Sequence, residues 1–210
     1  FSLGGPLGQT DWLNRFQKKS KIPLLIGMDA EWGVAMRLDS VQAFPWNMTL
    51  GAIQDDKLVQ AVGYRIGEQA KRLGIHINFA PSVDINTNPK NPIIGNRSFG
   101  EDKENVARKG IAFMNGMHEA GVLSSAKHFP GHGDTATDSH LGLPSINFSS
   151  ERIDEVELYP FKKIINAGVS SIMVAHLDIP ALDAGIPSSL SQKTVQVLLQ
   201  DSLKFKGLVI

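Results

Sequence analysis

The sequence predicts an α/β fold of the (β/α)8 barrel type. Short apolar runs alternate with stretches of helical period, which implies a parallel sheet. Gly74, Gly121, Gly168 and Gly207 each follow a helix-like stretch and precede an apolar run, at separations of 47, 47 and 39 residues. Titratable residues stand at or just past the C-terminal ends of successive runs, the face that carries the active site in such barrels.

The elements follow in order. Pro23–Met28 reads as a first strand, with Asp29 just past it. Leu58, Val62, Ile66, Ala70 and Leu73 recur at spacings of three and four, a helical stripe closed by Gly74. Ile75–Ala80 is the next strand, and Asp84 follows it beyond Pro81-Ser82-Val83. The Asn86–Asn96 stretch holds Pro89 and Pro92 and reads as a loop able to carry Arg97 over the same face. Val106, Gly110, Phe113 or Met114, and Met117 mark a second helix before Gly121. The strand Val122–Ala126 leads into Lys127 and His128. Ser149 is an N-cap, with Glu151, Asp154 and Glu155 at the positive end of the helix it opens. Pro160 ends or kinks that helix before it resumes through Ile164. Val169–Ala175 precedes His176, and Leu208–Ile210 is the last strand. The four glycines are expected to supply left-handed helix caps.

The 210 residues suit one domain with a substantial core. Lysine plus arginine and aspartate plus glutamate both number 21, so no nucleic-acid partner is expected. No apolar run is long enough to span a bilayer. With no cysteine, disulfide and thiolate chemistry are excluded. The chain opens on Phe1 and is expected to be an internal piece of a longer protein, so a missing signal segment carries no weight.

The segment from Lys127 to His140 holds three of the six histidines, two aspartates and a lysine in fourteen residues. Asp138 and His140 lie two apart on an irregular loop, where a carboxylate raises the pKa of an imidazole and fixes its tautomer. His140 is therefore a candidate general acid. Lys127 and His128 at a strand end suit the vicinal hydroxyls of a polar substrate. Gly131-His132-Gly133 is expected to let the loop open and close. A zinc site from His128, His132, Asp134, Asp138 and His140 is a second reading, although the spacing fits no compact zinc motif. The glycines form no phosphate-binding pattern.

The Lys-His-Phe-Pro-Gly-His-Gly-Asp-Thr run ending in Asp-Ser-His resembles the signature of family 3 glycoside hydrolases, in their β-N-acetylglucosaminidase branch. Gly27-Met28-Asp29-Ala30-Glu31, Asn78–Asp84 and Asn96-Arg97-Ser98-Phe99-Gly100 resemble three further segments of that family. The resemblance implies a retaining exo-β-N-acetylglucosaminidase acting on peptidoglycan fragments or chitin-type oligosaccharides. It implies His140, assisted by Asp138, as acid/base. It implies Asp29, Arg97, Lys127 and His128 as sugar ligands, with His176 facing the pocket. No cofactor and no metal are implied. A bacterial source follows, with periplasm or cell envelope favoured over cytoplasm. The alternatives are a β-glucosidase or β-xylosidase of the same family, an N-acetylglucosaminide phosphorylase, and a carbohydrate-binding relative without turnover.

Two departures stand out. Members of the branch often read Asp-x-Glu-Gly-Gly-Arg-Val, whereas here Glu31 is followed by Trp32-Gly33-Val34, and Arg37 fits the later arginine. The family's nucleophile is an aspartate just past a later strand, and the chain stops at Ile210. The expectation is therefore a partial barrel truncated at both ends, one incomplete domain over residues 1–210 with about strands two to six. A whole barrel has about 250 residues.

Overall fold

The computed structural model describes residues 4–135 and 143–210. Five parallel strands form one sheet in sequence order: β1 (Gly27–Met28), β2 (Ile77–Asn78), β3 (Leu123–Phe129), β4 (Ser171–Val174) and β5 (Leu208–Val209). The helical elements are α1 (Pro6–Lys19), α2 (Asn47–Gly51), α3 (Asp56–Arg72), α4 (Lys103–Glu119), α5 (Ser150–Arg152), α6 (Tyr159–Asn166) and α7 (Pro180–Asp183). Short turns and two π-type segments, Ile153–Glu157 and Lys193–Ser202, join them. Sequential parallel order with helices in the crossovers is the wall of a β/α barrel. Among the described residues, no helix is long and apolar enough to cross a membrane.

The strands are shorter than the apolar runs that announced them, with one exception. β3 extends past Ala126 through Phe129, so Lys127 and His128 belong to the strand and do not follow it. Pairing with β4 matches Lys127 to Met173 and then Phe129 to Val174, a register shift that makes His128 the extra residue. Such a bulge re-aims a side chain at the rim of a sheet.

Helix α3 starts at the Asp55 cap, whose side chain accepts from the Lys57 N–H, and α4 at Asp102, which accepts from Asn105. The two pack at backbone distance through glycines. A Cβ on Gly116 would lie 2.0 Å from the Gln60 carbonyl oxygen, and one on Gly63 would lie 2.2 Å from that of Phe113. Gly116→Ala forces the helices apart and is expected to cost about 2–3 kcal/mol, read as a lower urea midpoint at unchanged m.

Gly74, Gly121 and Gly168 are left-handed, as expected, with φ of +77°, +83° and +91°. Gly207 is not. Lys204, at φ +57°, takes the left-handed position after Leu203, and Gly207 serves close approach instead. A Cβ there would meet the Ser170 carbonyl oxygen at 2.5 Å, where β5 joins β4.

Ser149 caps α5 by accepting from the Arg152 N–H. The Pro160 kink takes the form of a wide turn. The Leu158 N–H reaches back five residues to Ile153, and Pro160 enters α6 in its first turn, where no N–H is required. The core runs from Leu50, Val59 and Ile66 through Phe113 and Met117 to Phe129, Phe161 and Ile172, all essentially inaccessible.

Candidate functional site

The site lies at the C-terminal ends of β1, β2 and β3. Asp29 follows β1 directly, and its carboxylate accepts from Lys127 Nζ at 2.8 Å and from Arg37 Nη2 at 2.7 Å. Two residues on, Glu31 is 1% exposed. It accepts from Arg97 through Nε (3.0 Å) and Nη2 (2.7 Å), and its Oε1 lies 2.8 Å from Lys127 Nζ. The fork-on-carboxylate geometry fixes the guanidinium plane. Asn78 of β2 holds this turn in place, accepting from the Ala30 N–H at 3.0 Å and donating to its carbonyl at 3.1 Å.

Arg97 arrives on the Asn86–Asn96 loop, as the sequence suggested. Its backbone carbonyl accepts from Asn47 Nδ2 at 2.7 Å, and its Nη1 donates to the Ile93 carbonyl at 3.2 Å. Its Nη2 also lies 3.2 Å from His128 Nε2. The other imidazole nitrogen, Nδ1, lies 2.7 Å from Asp84 Oδ2. An arginine has only donors, so Nε2 accepts and Nδ1 donates: His128 is the neutral Nδ1–H tautomer.

Asp84 organises this end of the site. Val83 bonds the Lys127 carbonyl, which brings the segment after β2 alongside β3. The Asp84 carboxylate then accepts from the backbone N–H groups of His128 (3.2 Å) and His132 (2.7 Å) and from the Ser82 hydroxyl at 2.9 Å, as well as from the imidazole. Burial alone would raise its pKa. The facing His128 and the converging hydrogen bonds overcome this and hold the carboxyl far below the usual range. Glu31 and Asp29 are likewise lowered against their own desolvation, chiefly by Lys127, with Arg97 assisting at Glu31 and Arg37 at Asp29. Burial outweighs Asp84 at His128 and lowers the imidazole.

Three carboxylates thus face three cations, Arg37, Arg97 and Lys127, around a neutral imidazole. Asp29, Arg97 and His128 keep 30%, 19% and 17% of their side chains open. Lys127 has spent two of its three donors on carboxylates and Arg97 four of its five. The cluster offers spare donors beside a carboxylate acceptor, the combination a pair of sugar hydroxyls requires.

The structure therefore brings together four of the predicted residues: Asp29, Arg97, Lys127 and His128. Among the described residues no hydrogen bond links His176 to them; it is exposed past β4, its Nδ1 2.7 Å from the Ser189 hydroxyl. His140 and Asp138 lie outside the described residues. The Gly131–Gly133 segment, expected as a hinge, is pinned: a Cβ on Gly133 would sit 1.7 Å from the Ile85 carbonyl oxygen, and Asn91 Nδ2 donates to the His132 carbonyl at 2.8 Å. Asp84 and Glu31 stand in the sequence at the ends of apolar runs with no local partner to mark their role in the site. The signal was available in the Asp-x-Glu spacing after β1 and in an aspartate so close after β2.

The titrations predict pH dependence. Groups whose carboxyl pKa is lowered on folding stabilise the chain above about pH 4, and lose that contribution as pH falls through their lowered values. His128, and His118 near the other end of the sheet, are lowered by burial and resist protonation below about pH 6.5. Urea midpoints are expected to decline gently below pH 6.5 and steeply below pH 4. A flat profile from 7 to 3 contradicts the assignment.

Residues 10–210 match the glycosyl hydrolase family 3 N-terminal domain. The chain belongs to glycosyl hydrolase family 3. It is 40% identical over 92% of its length to beta-hexosaminidase A of Pseudoalteromonas piscicida, and spans 35% of that protein. It superposes with a TM-score of 0.94 on a family 3 beta-N-acetylglucosaminidase from Paenibacillus sp. str. FPU-7, at 42% identity over 99% of this chain and 40% of the other. A beta-glucoside phosphorylase, BglX, superposes equally well at 29% identity, over 98% of this chain and 40% of the other. The chain thus spans 35% to 40% of the length of these relatives.

Proposed function

We propose that this chain supplies the terminal-sugar site of a retaining exo-β-N-acetylglucosaminidase. The observation that carries the reading is the meeting of Asp29, Arg97, Lys127 and His128 in one charge-balanced cluster at the strand ends. Asp29 accepts one sugar hydroxyl, while Arg97 and Lys127 donate to its neighbours. His140, oriented by Asp138, protonates the leaving oxygen and later activates water; an aspartate following the strand Leu208–Ile210 attacks the anomeric carbon. The likeness to proteins named beta-hexosaminidase and beta-N-acetylglucosaminidase supports the N-acetyl sugar. Peptidoglycan fragments or chitin-type oligosaccharides are the substrates. Wall-derived substrates favour the periplasm or cell envelope, which fractionation of the source cells tests. The relative from Pseudoalteromonas is bacterial.

A second reading, phosphorolysis, is favoured by the likeness to the beta-glucoside phosphorylase. A histidine acid/base carries no negative charge to repel phosphate. With phosphate present, release of N-acetylglucosamine 1-phosphate in place of the free sugar identifies that reaction.

The test is His140→Ala in the intact protein. The rate on an unactivated disaccharide is expected to fall about 10²–10⁴-fold, as removal of a general acid requires. A good leaving group, such as p-nitrophenolate, recovers much of the first step. Wild-type rates on the disaccharide, or activity on glucosides alone, overturn the reading.

A further inference from the structure

The Asn86–Asn96 loop carries Arg97, and its side chains also grip the segment that leads to His140. Thr87 Oγ1 donates to Asp134 Oδ1 at 3.0 Å, and Asn88 Nδ2 donates to the Asp134 carbonyl at 3.4 Å. Asn91 works in both directions. Its Oδ1 accepts from the Ile93 and Ile94 N–H groups, each at 2.9 Å, and so shapes its own loop. Its Nδ2 donates across to the His132 carbonyl at 2.8 Å and to the Thr135 hydroxyl at 3.3 Å. That hydroxyl lies 2.7 Å from His132 Nδ1, and the His132 N–H is held by Asp84. On another side Gly131 lies against Glu157, whose Cβ would be 2.9 Å from a Cβ on the glycine. Asn91, His132 and Thr135 are 6%, 3% and 1% exposed. Loops ordinarily run over the surface, and a buried one must find partners for its polar groups. Here each loop satisfies the other across 41 to 47 positions of chain, so neither is placed without its partner.

We propose that Asn91, assisted by Thr87, is a positioning residue for the acid/base of the reaction. This rests on the function proposed above. Asp138 and His140 stand three and five positions beyond Thr135 in the chain. Five residues reach at most about 17 Å, so the fixed end of that tether decides where the imidazole can go. The same loop presents Arg97, which Asn91 shapes from six positions away. One scaffold thus sets the sugar ligand and the root of the proton donor in a common frame. Proton transfer at hydrogen-bond distance to an oriented sugar requires that agreement. An asparagine suits the task because its amide accepts on one side and donates on the other.

The experiment measures kcat/KM of the intact protein on two substrates with the same terminal sugar. The leaving oxygen of N,N′-diacetylchitobiose needs a proton; that of 2,4-dinitrophenyl N-acetyl-β-glucosaminide does not. Competitive inhibition by free N-acetylglucosamine reads the sugar ligands separately. Asn91→Asp keeps the two accepted hydrogen bonds that shape the Arg97 loop and loses the two donated ones. It is expected to lower kcat/KM on the disaccharide about 10–100-fold, the scale of a displaced reacting group. The dinitrophenyl substrate and the inhibition constant are expected to stay within about twofold of wild type. Thr87→Val removes one donor at nearly constant shape. Its loss is expected on the disaccharide alone, about three- to tenfold, and it decides the matter if Asn91→Asp does not fold. Equal losses on both substrates, no loss on either, or inhibition that weakens in step with the rate overturn the proposal. Failure of the wild-type protein to turn over the dinitrophenyl substrate overturns the proposed function instead.

Discussion

Asp84→Asn is expected to lower kcat/KM on a terminal N-acetylglucosaminide about a hundredfold, the loss typical of removing the group that orients a site histidine. The carboxylate is 1% exposed and gathers donors from two backbone N–H groups, a hydroxyl and an imidazole. An amide of the same shape has one acceptor oxygen, and its NH2 group must face donors. The His128 Nδ1–H then loses its fixed acceptor, and the tautomer that lets Nε2 accept from Arg97 is no longer enforced. The guanidinium keeps its hold on Glu31 but loses its alignment over the sugar site. A buried unsatisfied donor also costs roughly 1–3 kcal/mol, so the melting temperature falls as well. The two effects separate by measuring both. Wild-type kcat/KM with a lowered Tm would make Asp84 a folding residue alone.

The sequence disclosed the alternation of strands and helices because buried parallel strands read as apolar runs and helix ends carry left-handed glycines. It disclosed Asp29, Lys127 and His128 because each stands at the end of such a run. It did not disclose what those residues touch. The Glu31–Arg97 pair spans 66 positions and the Asp84–His128 pair 44, and neither spacing leaves a local pattern. The end of β3 is hidden in the sequence for a related reason. Lys127 is polar and so read as a loop residue, yet it is 2% exposed because Asp29 and Glu31 neutralise it inside the barrel wall. Gly207 reads as a cap because helix-capping and close-approach glycines are identical in sequence and differ only in φ.

Glu31→Gln is expected to destabilise the chain by about 3–5 kcal/mol, the penalty for stranding buried charge. Its carboxylate is the shared counter-charge of Arg97 and Lys127, and with it gone Lys127 keeps only Asp29. Lys127→Met alone is milder. Glu31 retains both Arg97 hydrogen bonds, and Asp29 retains Arg37 in partly open surroundings. The double variant Glu31→Gln/Lys127→Met removes one negative and one positive charge together. Its loss is expected to fall short of the sum of the two by about 1–3 kcal/mol, the coupling of groups in direct contact. Activity should not follow stability. Under the proposed function Lys127 supplies a spare donor to the substrate, and no repacking returns it, so the double variant is expected to stay inactive even where its urea midpoint recovers. Additive losses would mean that Lys127 and Glu31 are held by their separate neighbours and not by each other. Recovered activity in the double variant would remove Lys127 from the sugar site.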